Sequence, residues 1–136
     1  MKNYGKTAVR AVELIHTNQV ATTSDAWTRA AVEIFGNTST RHRKACPRST
    51  FLGLCEEGLI KGVSETHISK KLRNQTNKGH AIDAINLLRD NPFLFSNPRE
   101  LWKMLMNGDP KSHNFQMDVV TALWNHKLIV PQLVTV

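Results

Sequence analysis

One helix ending is written twice in this chain. FLGLCEEGLI at 51–60 and TALWNHKLIV at 121–130 both read as the last turns of an amphipathic helix, a stop, and a short apolar exit. Upstream, AVRAVELI at 8–15 aligns without a gap with AIDAINLL at 81–88, so that Ala8, Ala11 and Leu14 match Ala81, Ala84 and Leu87. Between these pieces each copy carries a segment with a tryptophan near its start, SDAWTRAAVEIF at 24–35 and NPRELWKMLMN at 97–107. Matched segments in one order describe a repeated unit of about 55–60 residues.

The segments are helical by pattern. Ala8, Ala11, Val12 and Ile15 recur at the spacing of one helix face. Ser24 is placed to cap the second helix, and Gly36 follows Phe35 as its stop. In the copy, Asn97 caps, Pro98 takes the first helical position, and Glu100 meets the positive helix end. Pro47 opens the third helix, Phe51, Leu54 and Cys55 form its stripe, and Gly58 supplies a left-handed stop. Lys127 stands where Gly58 does, so the second ending is expected to be less sharp. Trp27, Trp102 and Trp124 lie on apolar stripes and read as core. Residues 63–78 are polar, a connector with one helical turn near Ile68. The short apolar tail at 131–136 follows Pro131. The expected fold is all-α: two pseudo-repeated three-helix units, about 4–62 and about 79–130, packed as one compact helical domain over 1–136. A lone unit of about 60 residues is marginal, which favours packing the two together.

Composition supports a folded chain, with 40% hydrophobic residues available for a core. No apolar run approaches the roughly 20 residues that cross a bilayer, and MKNYGKTAVRAVELIH lacks a signal-peptide apolar region. A soluble, cytoplasmic protein that does not enter membranes is expected. Cys46 and Cys55 make no disulfide framework and suit a reducing compartment.

The net charge of +7 is concentrated. No acid interrupts Glu33 to Glu56, a stretch holding Arg41, Arg43, Lys44 and Arg48. No acid interrupts Glu65 to Asp83, which holds Lys70, Lys71, Arg73 and Lys78. Acid-free segments create a local positive potential that a mixed surface cancels. The plain alternative is a solvated surface that keeps the protein dispersed. The sharper candidate is RHRKACPRST at 41–50, cations around the start of a helix, whose free N–H groups attract anions. Arginine matches phosphate oxygens in a planar fork, and a hydroxyl such as that of Ser49 adds a donor. The expected anion-binding residues are Arg41, His42, Arg43, Lys44, Arg48 and Ser49, extended by Lys61, Lys70, Lys71 and Arg73.

Chemistry beyond binding is not indicated. No phosphate loop, paired-carboxylate site or hydrolase elbow is present. His42, Cys46, Cys55 and His67 match no compact zinc spacing. A Cys46–His42 nucleophile pair would lie one helical turn apart and gives a third alternative, an enzyme, but no third group to orient the histidine is evident. No catalytic residue, metal or cofactor is expected. A three-helix unit is similar in outline to helix-turn-helix domains, but the Phe35–Pro47 connection is too long and Glu56 and Glu57 sit on the third helix. Backbone contact with nucleic acid is therefore expected rather than base reading in a groove. The alternative is a small adaptor or inhibitor that docks this basic face on an acidic protein.

CPRSTFLGLCEEGLIKG, with YGKTAVRAVELI and QMDVVTALW, resembles a family of small bacterial proteins of unknown function, from about Tyr4 to Ile129. The resemblance implies a self-contained bacterial domain. It implies no activity and no catalytic residue.

Overall fold

Helix caps set most of the architecture. The computed structural model describes residues 2–36, 44–68, 71–109, 113 and 115–131. Among them the chain forms six α-helices: α1 (Lys2–His16), α2 (Thr23–Phe35), α3 (Ala45–Glu56), α4 (Thr76–Asp90), α5 (Pro98–Met106) and α6 (Gln116–Asn125). Short 3-10 turns lie at Glu65–His67 and Pro92–Ser96. The all-α expectation holds.

The periodic faces read from the sequence are the buried ones. Ala8, Ala11, Val12, Ile15, Ala81, Ala84 and Leu88 are all buried. They join Trp27, Phe51, Leu54, Leu101, Trp102, Met117 and Leu123 in a single hydrophobic cluster. Trp27 and Phe51 meet at 5.4 Å between ring centroids. Trp124 is half-buried at the edge of that cluster. Helix α1 packs on α2 and α6, and α3 packs on α4 and α6.

Caps agree with expectation in α5 and differ in α2. Asn97 accepts the Glu100 N–H at 3.1 Å, with Pro98 as the first helical residue. In α2 the cap is Thr22, whose hydroxyl accepts the Asp25 N–H at 3.1 Å. Ser24 therefore sits inside the first turn with its hydroxyl released for another partner. Helix α3 begins at Ala45, which leaves Pro47 in its first turn rather than at its opening. Helix α4 begins at Thr76, ahead of the apolar match at Ala81, because the Asn74 side chain accepts the Thr76 N–H at 2.9 Å.

The two helix endings have one geometry. Gly58 takes φ 74° and Lys127 φ 60°. The Leu59 N–H reaches the Leu54 carbonyl at 3.1 Å, and the Leu128 N–H reaches Leu123 at 3.0 Å. These are Schellman-type endings. The looser stop expected at Lys127 is not found. The backbone bond to Leu123 holds Lys127 in the left-handed region without a glycine. The exits then pair: Ile60 and Ile129 form an antiparallel bridge, with Lys61 N–H to Leu128 O at 2.8 Å and Val130 N–H to Leu59 O at 2.9 Å. Among the described residues no helix is long and apolar enough to cross a membrane.

Candidate phosphate-binding surface

The candidate residues divide by position. Arg41, His42, Arg43 and Lys70 lie outside the described residues. Lys44 occupies the cap position of α3, with its Nζ 5.6 Å from the centroid of the Phe115 ring. One turn further along α3, Arg48 is half-buried. Its Nη2 donates to Ser24 Oγ at 2.6 Å, which uses the hydroxyl that Thr22 released from capping.

Arg48 makes no ion pair among the described residues. Burial holds its pKa below the ordinary arginine value, yet a guanidinium stays protonated. Among the described residues no carboxylate comes within ion-pairing distance of it. Its one hydrogen bond here goes to a neutral hydroxyl. A partly desolvated cation in this state favours an anion from outside.

The second basic segment is brought to the same place. Glu56, on α3, has a side chain only 5% exposed. One of its oxygens accepts the Leu72 N–H at 2.6 Å, and the other meets Lys78 Nζ at 3.3 Å. Gly53 makes that meeting possible, since a Cβ there would lie 2.6 Å from the Lys78 Cβ. Lys78 thus neutralises Glu56, while Glu56 pins the Lys71–Arg73 segment beside α3. The result is a cavity of about 350 Å³ lined by Thr23, Ser24, Arg48, Leu52, Glu56, Ile68, Lys71, Leu72 and Arg73. Arg48 from one acid-free segment and Lys71 and Arg73 from the other share its walls.

Ser49 and Lys61 do not line this cavity. Lys61 is exposed beside the Ile60–Ile129 bridge, and its carbonyl accepts from His16 Nε2 at 2.7 Å. Sequence reasoning missed the roles of Ser24 and of the Glu56–Lys78 pair. The run Thr22, Thr23, Ser24 offered a signal for the first, because one helix needs only one cap and the other hydroxyls remain available.

Cys55 is buried, and desolvation followed by the charge of Glu56 pushes its thiol well above the ordinary range. Among the described residues no group of three His, Cys, Asp or Glu side chains gathers as metal ligands would.

The sequence model of DUF6979, a family of unknown function, matches residues 1–130. No curated protein and no solved structure matches significantly. The match takes in all six helices and the cavity walls, and the chain belongs to DUF6979, a family of unknown function.

Proposed function

We propose that the protein is a non-enzymatic binder of phosphate-bearing polymers, nucleic acid foremost, through the cavity face of Arg48, Lys71 and Arg73. The observation that carries this reading is Arg48: a half-buried guanidinium with no ion pair among the described residues, in a cavity with two further cations whose one lining carboxylate, Glu56, is engaged by Lys78 and the Leu72 N–H. The first turn of α2 adds Thr23 and Ser24 to the same wall, and free N–H groups at a helix start favour anions. Lys44 lies one turn from Arg48 on α3 and adds a further cation to the same helix. Free Cys46 and Cys55 suit a reducing, cytoplasmic setting.

The architecture behind this face is read as two three-helix units related by a local twofold. The matched endings at Gly58 and Lys127 and the pairing of Ile60 with Ile129 support it. A residue that pairs with its own repeat equivalent lies on such an axis.

Fluorescence anisotropy with a short labelled oligonucleotide tests the binding. Affinity should fall steeply between about 50 and 200 mM salt, since each neutralised phosphate releases counterions. Lys71 and Arg73 are exposed, so Lys71→Glu with Arg73→Glu leaves packing intact. That pair should weaken binding by at least about tenfold and lower the salt slope by about 2. Arg48→Gln should weaken it without unfolding the chain by circular dichroism. Absence of binding even at low salt, or binding indifferent to salt, would overturn the reading and leave these cations to an acidic protein partner.

A further inference from the structure

A second cavity, of about 570 Å³, opens at the start of α5. Its walls differ in kind from those of the first. Trp102, His113 and Phe115 supply rings, Arg99 and Lys103 supply exposed cations, and Asp118 is the one carboxylate. The Trp102 and His113 rings lie 5.3 Å apart, and His113 and Phe115 lie 6.4 Å apart. Trp102 is 6% exposed and forms the deep wall. Phe115 and His113 are half-buried and form the accessible one.

Phe115 is held in an unusual backbone conformation. It takes φ 67°, a left-handed conformation that an aromatic residue rarely adopts. Such strain persists only where the surroundings impose it, and it clusters at binding sites. Tyr4 supports the ring at 4.9 Å in a stacked arrangement. His113 fixes the start of α6 by accepting the Met117 N–H at its Nε2, 3.0 Å away. An Nε2 that accepts carries no proton, so this contact fits the neutral ring, and burial lowers the ring's pKa against the opposing charge of Asp118. A neutral ring stacks on a base without repelling the neighbouring cations.

One residue of α3 approaches each cavity. Lys44 stands beside Phe115, and Arg48 lines the first cavity. Four residues apart on α3, these two cations share one helix face about 6 Å apart along the axis. On the path inferred below, Lys44 is the cation between the Phe115 ring and the cavity of Arg48, Lys71 and Arg73. Asp118 disfavours a phosphate deep in the second cavity while tolerating an uncharged group. Arg99 and Lys103 meet a phosphate at its rim instead.

We infer that the polymer held by this protein is single-stranded nucleic acid, with one unstacked base entering the cavity of Trp102, His113 and Phe115 and the adjoining backbone crossing Lys44 to Arg48, Lys71 and Arg73. In a duplex the base faces are covered by their neighbours, so only a single strand offers a face to these rings. The flexible Lys44 side chain leaves the Phe115 ring for a phosphate as the base enters. This inference rests on the phosphate-binding reading above.

Anisotropy with a single strand and a duplex of equal length tests it, with an inorganic polyphosphate chain as a base-free competitor. The single strand should bind on the order of tenfold tighter than the duplex. Phe115→Leu keeps apolar bulk but loses the π face, and should cost the single strand on the order of tenfold, the scale of one stacked base. It should leave competition by polyphosphate unchanged, and Phe115→Trp should restore single-strand affinity. Arg99→Gln with Lys103→Gln, on exposed positions, should weaken the single strand as well. Equal binding of both forms, with affinity unmoved by Phe115→Leu and by the Arg99–Lys103 pair, would overturn the single-strand assignment and leave the phosphate surface standing. Failure of every polyanion to bind at low salt would overturn both.

Discussion

Glu56 carries more of the candidate surface than any of the cations it organises. In sequence it sits on the third helix beside Glu57, marks the end of an acid-free stretch, and counts only against a basic recognition helix. In the fold its carboxylate is buried, takes the Leu72 N–H, and pairs with Lys78, itself 18% exposed. Removing Glu56 takes the acceptor from the Leu72 N–H and leaves the largely buried Lys78 with only the exposed Glu57, 3.7 Å away, as partner. Glu56→Ala should therefore destabilise the protein by about 3 kcal/mol, measured by urea denaturation. Glu56→Gln together with Lys78→Met should cost less than that single change, because the amide can still accept the Leu72 N–H and no desolvated ammonium loses its nearer partner. Binding supplies a second readout, in which two effects oppose. Loss of a negative charge near Arg48 would strengthen an anion's hold, while release of the Lys71–Arg73 segment would weaken it. Surface charges are largely screened beyond about 8 Å at physiological salt, so positional loss should dominate and Glu56→Ala should bind more weakly. Stronger binding would show that the segment needs no such anchor.

At the scale of elements, periodicity made the helices legible and left the caps and sharp stops partly hidden. Ala8, Ala11, Val12 and Ile15 declared a buried face, and they are buried. Asn97 and Pro98 declared a helix start, and they make one. Ser24 misled, because three adjacent residues able to cap compete and only the fold shows that Thr22 wins. Phe115 gave no signal at all, since nothing in an aromatic side chain announces a left-handed backbone. Lys127 misled in the other direction. Its residue type argued for a loose stop, while tertiary pairing through Leu128 and Ile129 imposes a tight one. That difference is measurable. A non-glycine residue in the left-handed region costs about 1 kcal/mol, partly offset by the chain entropy that glycine loses on folding. Lys127→Gly should stabilise the protein by about 0.5–1 kcal/mol, and Gly58→Ala should destabilise it by about 1 kcal/mol or more. Equal and negligible effects at both positions would mean that the endings relax in solution.

At the scale of the whole molecule, the halves do not close separately. Helix α1 of the first half packs on α6 of the second, and α3 packs on both α4 and α6. Tyr4 stacks on Phe115 across that division, and the Ile60–Ile129 bridge ties the two helix exits together. The convergence of Arg48 with Lys71 and Arg73 depends on the same packing, because Lys78 of α4 must sit against Gly53 and Glu56 of α3. No reading of the separate segments contains that convergence, for it arises only when α4 is laid across α3. A unit of about 60 residues buries too small a share of its surface to stand alone, and residues 1–62 would expose the apolar faces that α1 and α3 give to the second half. A fragment of residues 1–62 should therefore show little helix by far-ultraviolet circular dichroism. The full chain should unfold in one step, with tryptophan fluorescence and circular dichroism sharing a midpoint. Those probes are informative because Trp27 reports on the first half and Trp102 and Trp124 on the second. A fragment that folded cooperatively, or two separated midpoints, would show that the halves are independent, and the cavity between α3 and the Lys71–Arg73 segment would then have to form without the shared core that this architecture assigns to it.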